Sequence, residues 1–487
     1  MIRDLTTGPP TRLIVTFAVP LLLGNLFQQL YHFTDAVVVG RLVGVDALAA
    51  VGATWSVTFL LLGLSWGSSA GLAIPVARAF GAGDQPALRR AFAAGALISA
   101  GLALLITLVG TLGARPFMVL LGTPPELVDD ATTFLVVTFA GAAAMVSFNF
   151  LSSVIRALGD SRTPLVFLVV ACVLNAGLVV AFVGGLGLGV GGAALATVVA
   201  QLVSVALCLL LVQRRMPVLH LRREDWLLAR ADFAEPLRLG MSMGFQMAVI
   251  AVGAMVLQTA INGLGAEAVT AFTVASRVDQ LAVAPLNSFG IALATYVAQN
   301  RGALAWTRVR QGVLRTTGVS AVAAVVLGVL VVVLGEPIVR LFVGGGEAQV
   351  VALAHQYLVV SGCLYVFLAL LFVYRNAVQG MGRATSPAVS GFAELVLRAA
   401  AGIVLVRYFG FLGVCLAAPL AWIGGLVPVA VSWFAERRRL VDNERYAPPL
   451  RDAPLPDAAL PDAALPDAAL PDAALPDAPR DLEAVLS

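Results

Sequence analysis

The chain contains no lysine; all 31 of its basic residues are arginine. It has four cysteines and three histidines, and only 12% of its 487 positions carry a charge. Each shortage excludes something. Cys172, Cys208, Cys363 and Cys415 all fall in apolar runs and form no CxxC pair or Cys/His cluster, which argues against both a metal site and a disulfide framework. They read as buried thiols acting as small hydrophobes. His32, His220 and His355 are scattered. The net charge is +3 and no basic block suits nucleic acid. Walker A, HExxH, DDxxD and nucleophile-elbow patterns are absent, so direct ATP drive and a membrane-embedded enzyme both lack their machinery. No cofactor is expected. Charge this sparse does not cover the surface of a soluble domain.

What is there is apolar sequence. Hydrophobic residues make up 60% of the chain and the mean hydropathy is +0.93. Apolar runs of membrane-spanning length recur along it, without the short alternating segments of a β-barrel. Twelve spans are predicted, near 13–39, 47–77, 91–113, 131–155, 164–184, 190–212, 236–261, 267–298, 313–334, 351–377, 388–407 and 411–434. The first follows Arg3 and Arg12 and is too long, without a small-residue cleavage site, for a removable signal. Taking the connections in order, the odd-numbered ones hold 22 arginines, Arg375 among them; the even-numbered ones hold Arg41, Arg115, Arg340 and Arg407. The positive-inside rule then places both termini in the cytoplasm.

A polar connection at 213–235 divides two related halves. Gly44-Val45-Asp46-Ala47-Leu48 recurs as Gly265-Ala266-Glu267-Ala268-Val269. The run from Arg156 to Pro164 recurs from Gln379 to Pro387, and Leu188-Gly189-Val190 as Leu412-Gly413-Val414. The offsets are 221, 223 and 224 residues, so the register holds across the half. Six spans per half make the repeats parallel about an axis along the membrane normal, an arrangement of secondary transporters with the substrate site between the halves. The expected fold is all-α: twelve transmembrane helices in two six-helix bundles, 1–212 and 236–439, related by pseudo-two-fold symmetry. Residues 440–487 form a tail in which Leu-Pro-Asp-Ala-Ala repeats over 455–479. A proline every fifth residue forbids a continuous helix, and the tail reads as disordered.

The stretch Pro20-Leu21-Leu22-Leu23-Gly24-Asn25-Leu26-Phe27-Gln28-Gln29-Leu30-Tyr31, then Asp35 and Val39-Gly40-Arg41, resembles the first helix of bacterial members of the MATE (multidrug and toxic compound extrusion) family. The Gly-Asp-x-Arg-Thr-Pro turn at 159–164 and the Leu-Gly-Val-Gly-Gly-Ala-Ala stretch at 188–194 also match, and the resemblance covers residues 1–440. It implies a monomeric inner-membrane antiporter that exports organic small molecules against inward H+ or Na+. It also implies that Asp35 is the coupling carboxylate, with Asn149 and Asn175 near it. Many family members carry a second Asp four residues after that second Asn; here Val179 stands there, which favours protons over Na+.

The residues point the same way. An ionised carboxylate at membrane depth is costly unless paired or facing water, and a carboxyl held there can take a proton from one side and release it to the other. Asn25, Gln28, Gln29, His32 and Asp35 recur at helical spacing, making one polar stripe. With Tyr31, and with Gln246 and Gln258 on the seventh span, they are candidates to line a cavity. The bland alternative is a structural polar seam between helices. In the C-terminal half, Glu394 and Arg398 are four apart, so they share a face and can pair. Arg277 and Asp279, two apart, need partners on other helices, Arg277 with Glu394 being one option. A lipid-linked precursor flippase of the same superfamily remains the alternative transporter.

Overall fold

The computed structural model describes residues 3–343 and 347–446, without the side chains of residues 30–37, 42, 45, 443, 445 and 446. The side chains of Tyr31, His32 and Asp35, and the repeat tail, therefore lie outside the described residues.

The described chain is helical throughout. The first half comprises α1 (Pro10–Leu42), α2 (Val45–Ala53), α3 (Trp55–Gly81), α4 (Gln85–Leu120), α5 (Pro125–Ala140), α6 (Ala142–Ala157), α7 (Arg162–Val179) and α8 (Gly189–Arg215). The second comprises α9 (Arg230–Asn262), α10 (Ala266–Gly302), α11 (Trp306–Val343), α12 (Ala348–Gly380), α13 (Thr385–Ala400), α14 (Val406–Phe409) and α15 (Phe411–Tyr446). Among the described residues, eleven helices are long and apolar enough to cross a membrane, and the pair α5 and α6, bent by 49° at Gly141, makes a twelfth. The connection expected over 213–235 is shorter: α9 already begins at Arg230, after short helical turns at Pro217–Leu219 and Arg223–Trp226.

The repeat is visible in the backbone. Gly44 and Gly265, at φ +124° and +98°, open the second span of each half, and Gly159 and Gly382, at +86° and +72°, occupy equivalent turns. These left-handed conformations suit glycine, which has no Cβ to clash. A π-helical turn follows α7 at Val180–Gly185, and another follows α13 at Ala401–Leu405. The Gly-Asp-x-Arg-Thr-Pro turn is built by Asp160. Its Oδ1 accepts from the amides of Arg162 and Thr163, both at 3.0 Å, and its Oδ2 from Thr163 Oγ1 at 2.6 Å. That satisfies donors the first turn of α7 would otherwise leave open.

The halves meet along α3 and α9. A Cβ on Gly67 would collide with the carbonyl of Met243, one on Gly71 would lie 2.5 Å from Leu239 O, and one on Gly244 would collide with Ser68 Oγ. Gly67 and Gly71 thus face Gly240 and Gly244, four apart on each helix, and the absent side chains let the two backbones touch. Further contacts between the halves run from this crossing towards the end of the molecule that carries the turns at 82–84, 158–161 and 303–305. We call it the arginine-rich end.

Candidate functional site

The polar stripe of α1 begins at the interface. Asn25 Nδ2 donates to Ser288 Oγ of α10 at 3.2 Å, across the two halves. Gln28 is half-buried and Gln29 exposed. Along its length α1 changes partners. Leu13, Ile14, Phe17 and Ala18 are buried with Leu293, Tyr296, Val309 and Val313 of α10 and α11. Beyond Pro20, Gly24 approaches Leu165 and Leu168 of α7, Cys172 Sγ donates to Phe27 O at 3.7 Å, and Val39 packs with Val179, Val183 and Val190. So α1 starts on the C-terminal half and finishes within the N-terminal one.

That register places the candidate residues of the N-terminal half. With Cys172 at the level of Phe27, Asn175 stands near the level of Leu30, and the backbone of Asp35 lies about a turn further on, at ~1.5 Å per residue. Asn175 is buried and its Nδ2 donates to Thr197 Oγ1 of α8 at 3.1 Å. Asn149 Nδ2 donates to Ser65 Oγ of α3 at 3.3 Å. Both amides tie helices of this half together, Asn175 doing so on α7, which packs on α1.

The C-terminal half corrects the expected pairing. Glu394 does not pair with Arg398 on its own helix, nor with Arg277. Its carboxylate is bound by Arg375 of α12, and both side chains are nearly inaccessible, at 7% and 5% exposure. Arg375 Nη2 also donates to Ser390 Oγ at 2.9 Å, and Ser390 Oγ donates to Gly425 O at 2.6 Å. Gln246 lies 3.1 Å from the amide nitrogen of Gln379; with its oxygen turned to Arg375 it accepts from Nε and Nη1, both at 2.7 Å. A guanidinium offers five donors in a fixed fork, and here carboxylate, hydroxyl and amide surround it. Four helices, α9, α12, α13 and α15, are joined at one buried charge.

Arg375, counted with the connection arginines although the expected span reached 377, lies buried within α12, which runs to Gly380. Arg277 is exposed. Asp279 instead accepts from Tyr365 Oη at 2.7 Å, with Arg398 within electrostatic reach. The stem of Arg398 lies over Gly253 of α9. Gln258 donates to Asn262, one turn along its own helix, at 2.9 Å, and joins none of these clusters.

At the arginine-rich end the halves are closed by residues the sequence did not single out. Arg78 of α3 grips Glu235 of α9 with two hydrogen bonds of 2.5 and 2.7 Å. The ends of α3 and α10 touch through backbone: a Cβ on Gly81 would collide with Gln299 O, and one on Gly302 with Arg78 O. Gln299 Nε2 donates to Ala157 O at 2.8 Å.

A family model, MatE, matches residues 20–183 and again 243–404, once in each half. The chain belongs to the MatE family. As a MATE protein it is a multi-pass membrane protein of two homologous bundles. It is 29% identical over 381 residues to the probable multidrug resistance protein YpnP of Bacillus subtilis (strain 168), covering 78% of this chain and 84% of that one. It is 24% identical over 442 residues to an FAD transporter of Shewanella oneidensis, covering 89% and 96%. Among solved structures, a MOP superfamily transporter from Pyrococcus furiosus superposes with a TM-score of 0.82 at 22% identity, covering 91% of this chain and 98% of that one. The fold is therefore shared.

Proposed function

We propose that this MATE protein is a secondary antiporter of the bacterial inner membrane. It exports organic, often cationic or amphipathic compounds in exchange for protons, by alternating access between its halves, with Asp35 as the coupling carboxylate. The observation that carries this reading is the course of α1. The helix that bears the polar stripe and Asp35 is packed on the C-terminal half at its start and within the N-terminal half at its end. A change of charge on it is felt by both bodies whose relative motion transports the substrate.

Three further points support the reading. Positive-inside placement makes the arginine-rich end cytoplasmic, so the closed contacts there correspond to a shut cytoplasmic gate. Val179, where the family resemblance leads one to expect a second carboxylate, is fully buried among valines and offers a metal cation no side-chain oxygen; a proton needs only one carboxylate. The multidrug resistance proteins among the relatives suggest organic substrates in general.

The test is efflux of a fluorescent lipophilic cation from proteoliposomes under an imposed pH or Na+ gradient, for the unaltered protein and Asp35→Asn. Efflux driven by the pH gradient and lost in Asp35→Asn supports the proposal. Efflux driven only by Na+ overturns the ion. No efflux from folded protein under either gradient favours the lipid-linked flippase instead.

A further inference from the structure

Residues 3–8, ahead of α1, sit where chain from both halves converges, and no step of the proposed transport cycle uses them. On one side the segment touches the turn between α6 and α7. The Arg3 amide donates to Leu158 O at 3.1 Å. Gly159 approaches the Arg3 carbonyl so closely that a Cβ would collide with it, and its φ of +86° disfavours one independently.

On the other side the segment is bound to α10 and α11. The Leu5 amide donates to Gln299 Oε1 at 2.9 Å. The Leu5 carbonyl accepts from Asn300 Nδ2 at 3.1 Å and Arg308 Nη2 at 3.3 Å, and Gly8 O accepts from the same Nη2 at 2.9 Å. The Leu5 side chain is 1% exposed in the cluster of Tyr296, Val309 and Met381. Asp4 Oδ1 shapes the segment from within, accepting from the Thr6 amide at 2.7 Å and from Thr6 Oγ1 at 2.6 Å, an Asx-type turn.

The two attachments are unequal. Among the described residues, four hydrogen bonds and a buried leucine hold the segment to the C-terminal half, and one backbone bond, from Arg3 to Leu158, holds it to the N-terminal half, where Asp160 of the same turn has a further electrostatic partner. Separation on the first side would expose the buried Leu5 side chain, for which the described residues show no counterpart on the second. We propose that residues 3–8 are a latch carried by the C-terminal half. It clasps the α6–α7 turn while the arginine-rich end is shut, and lets go of that turn, but not of α10 and α11, whenever that end opens. The proposal rests on the alternating-access reading and says which contact must break in it.

Two reversible cross-links in the full chain, with native cysteines replaced and the protein in liposomes, test it. Arg3→Cys with Leu158→Cys joins the latch to the turn; Leu5→Cys with Asn300→Cys joins it to α10. Bridging the first pair with a short bis-methanethiosulfonate, whose two disulfide links form with loss of sulfinate and are reducible, is expected to cut cation efflux about tenfold, with recovery on reduction, whereas bridging the second leaves efflux within about twofold. Full efflux through the first bridge, or equal block by both, overturns the proposal.

Spin labels on exposed Arg90 of α4 and Gln311 of α11 give a readout independent of transport. Leu5→Ser is expected to raise the open population at that end about tenfold. So is Arg3→Pro, which removes the amide donor to Leu158 together with the Arg3 side chain but leaves Leu5 in place, and so guards against a folding defect in the first variant. An unchanged distance distribution in both refutes the latch. If the unbridged protein moves no cation under either gradient, the exporter reading fails while the distances still decide the latch.

Discussion

Glu394 is bound to Arg375 on the neighbouring helix α12, and not to Arg398, one turn away on its own helix. Breaking a buried ion pair by removing one partner strands the other charge, at about 3–5 kcal/mol. Glu394→Gln and Arg375→Met are therefore each expected to lower the melting temperature in detergent sharply. The double variant should recover much of the loss, whereas Glu394→Gln and Arg398→Met should combine additively. Additivity between Glu394 and Arg375 would contradict the pairing.

The glycine crossing of α3 and α9 makes a second prediction. A Cβ at Gly67 meets the Met243 carbonyl, so Gly67→Val is expected to cost about 2 kcal/mol or more through overpacking. Gly101 of α4 has open space at the same position, and Gly101→Ala should stabilise by up to about 1 kcal/mol through helix propensity. Thermal unfolding of both variants checks the contrast.

Asp35→Asn is expected to leave folding and drug binding intact while abolishing accumulation driven by the pH gradient. Asn175→Ala loses the bond to Thr197 beside α1 and should weaken transport about tenfold without abolishing coupling. Binding of the fluorescent cation, read alongside efflux, separates the two outcomes. Loss of binding in Asp35→Asn would make the residue a substrate contact instead.

Arg78 and Glu235 join α3 to α9 at the closed end, each partly exposed, so the pair contributes only about 0.5–1 kcal/mol. That is enough to shift a two-state balance several-fold. Glu235→Gln is expected to raise the open population at the arginine-rich end, and the exchange Arg78→Glu with Glu235→Arg to restore part of it. Label distances across that end report both.

Much of the fold was legible because it is written twice. The turn motifs at 159 and 382, and the glycines at 44 and 265, announce the same backbone in each half. The stripe on α1 is plain in the sequence, since five polar residues at helical spacing are costly against lipid; of it the structure shows Asn25 bonded to Ser288, while the side chains of His32 and Asp35 lie outside the described residues. Partners across helices were not legible. Nothing local distinguishes Arg398 from Arg375 as the mate of Glu394; the choice is made by how α12 and α13 pack. Arg375 counts among the connection arginines only because it stands near the end of the expected span, 351–377. The helix continues to Gly380, its last turns buried on α10, where a Cβ on Gly380 would lie 2.6 Å from Ala294 O. The closing contacts at Gln299 and Asn300 give no sequence signal, being ordinary amides at the end of a long helix.

A stiff rod fixed at both ends to two bodies is a brace, and α1 is fixed in just that way. If it were rigid, the halves could not rock without tearing one of its anchorages. Under the alternating-access proposal the strain would be taken up around Pro20, which contributes no amide hydrogen to the ladder and leaves the helix locally soft. That short stretch would then work as the elbow of a crank. Pro20→Ala would stiffen it, slowing turnover while leaving the resting structure and its melting temperature almost untouched.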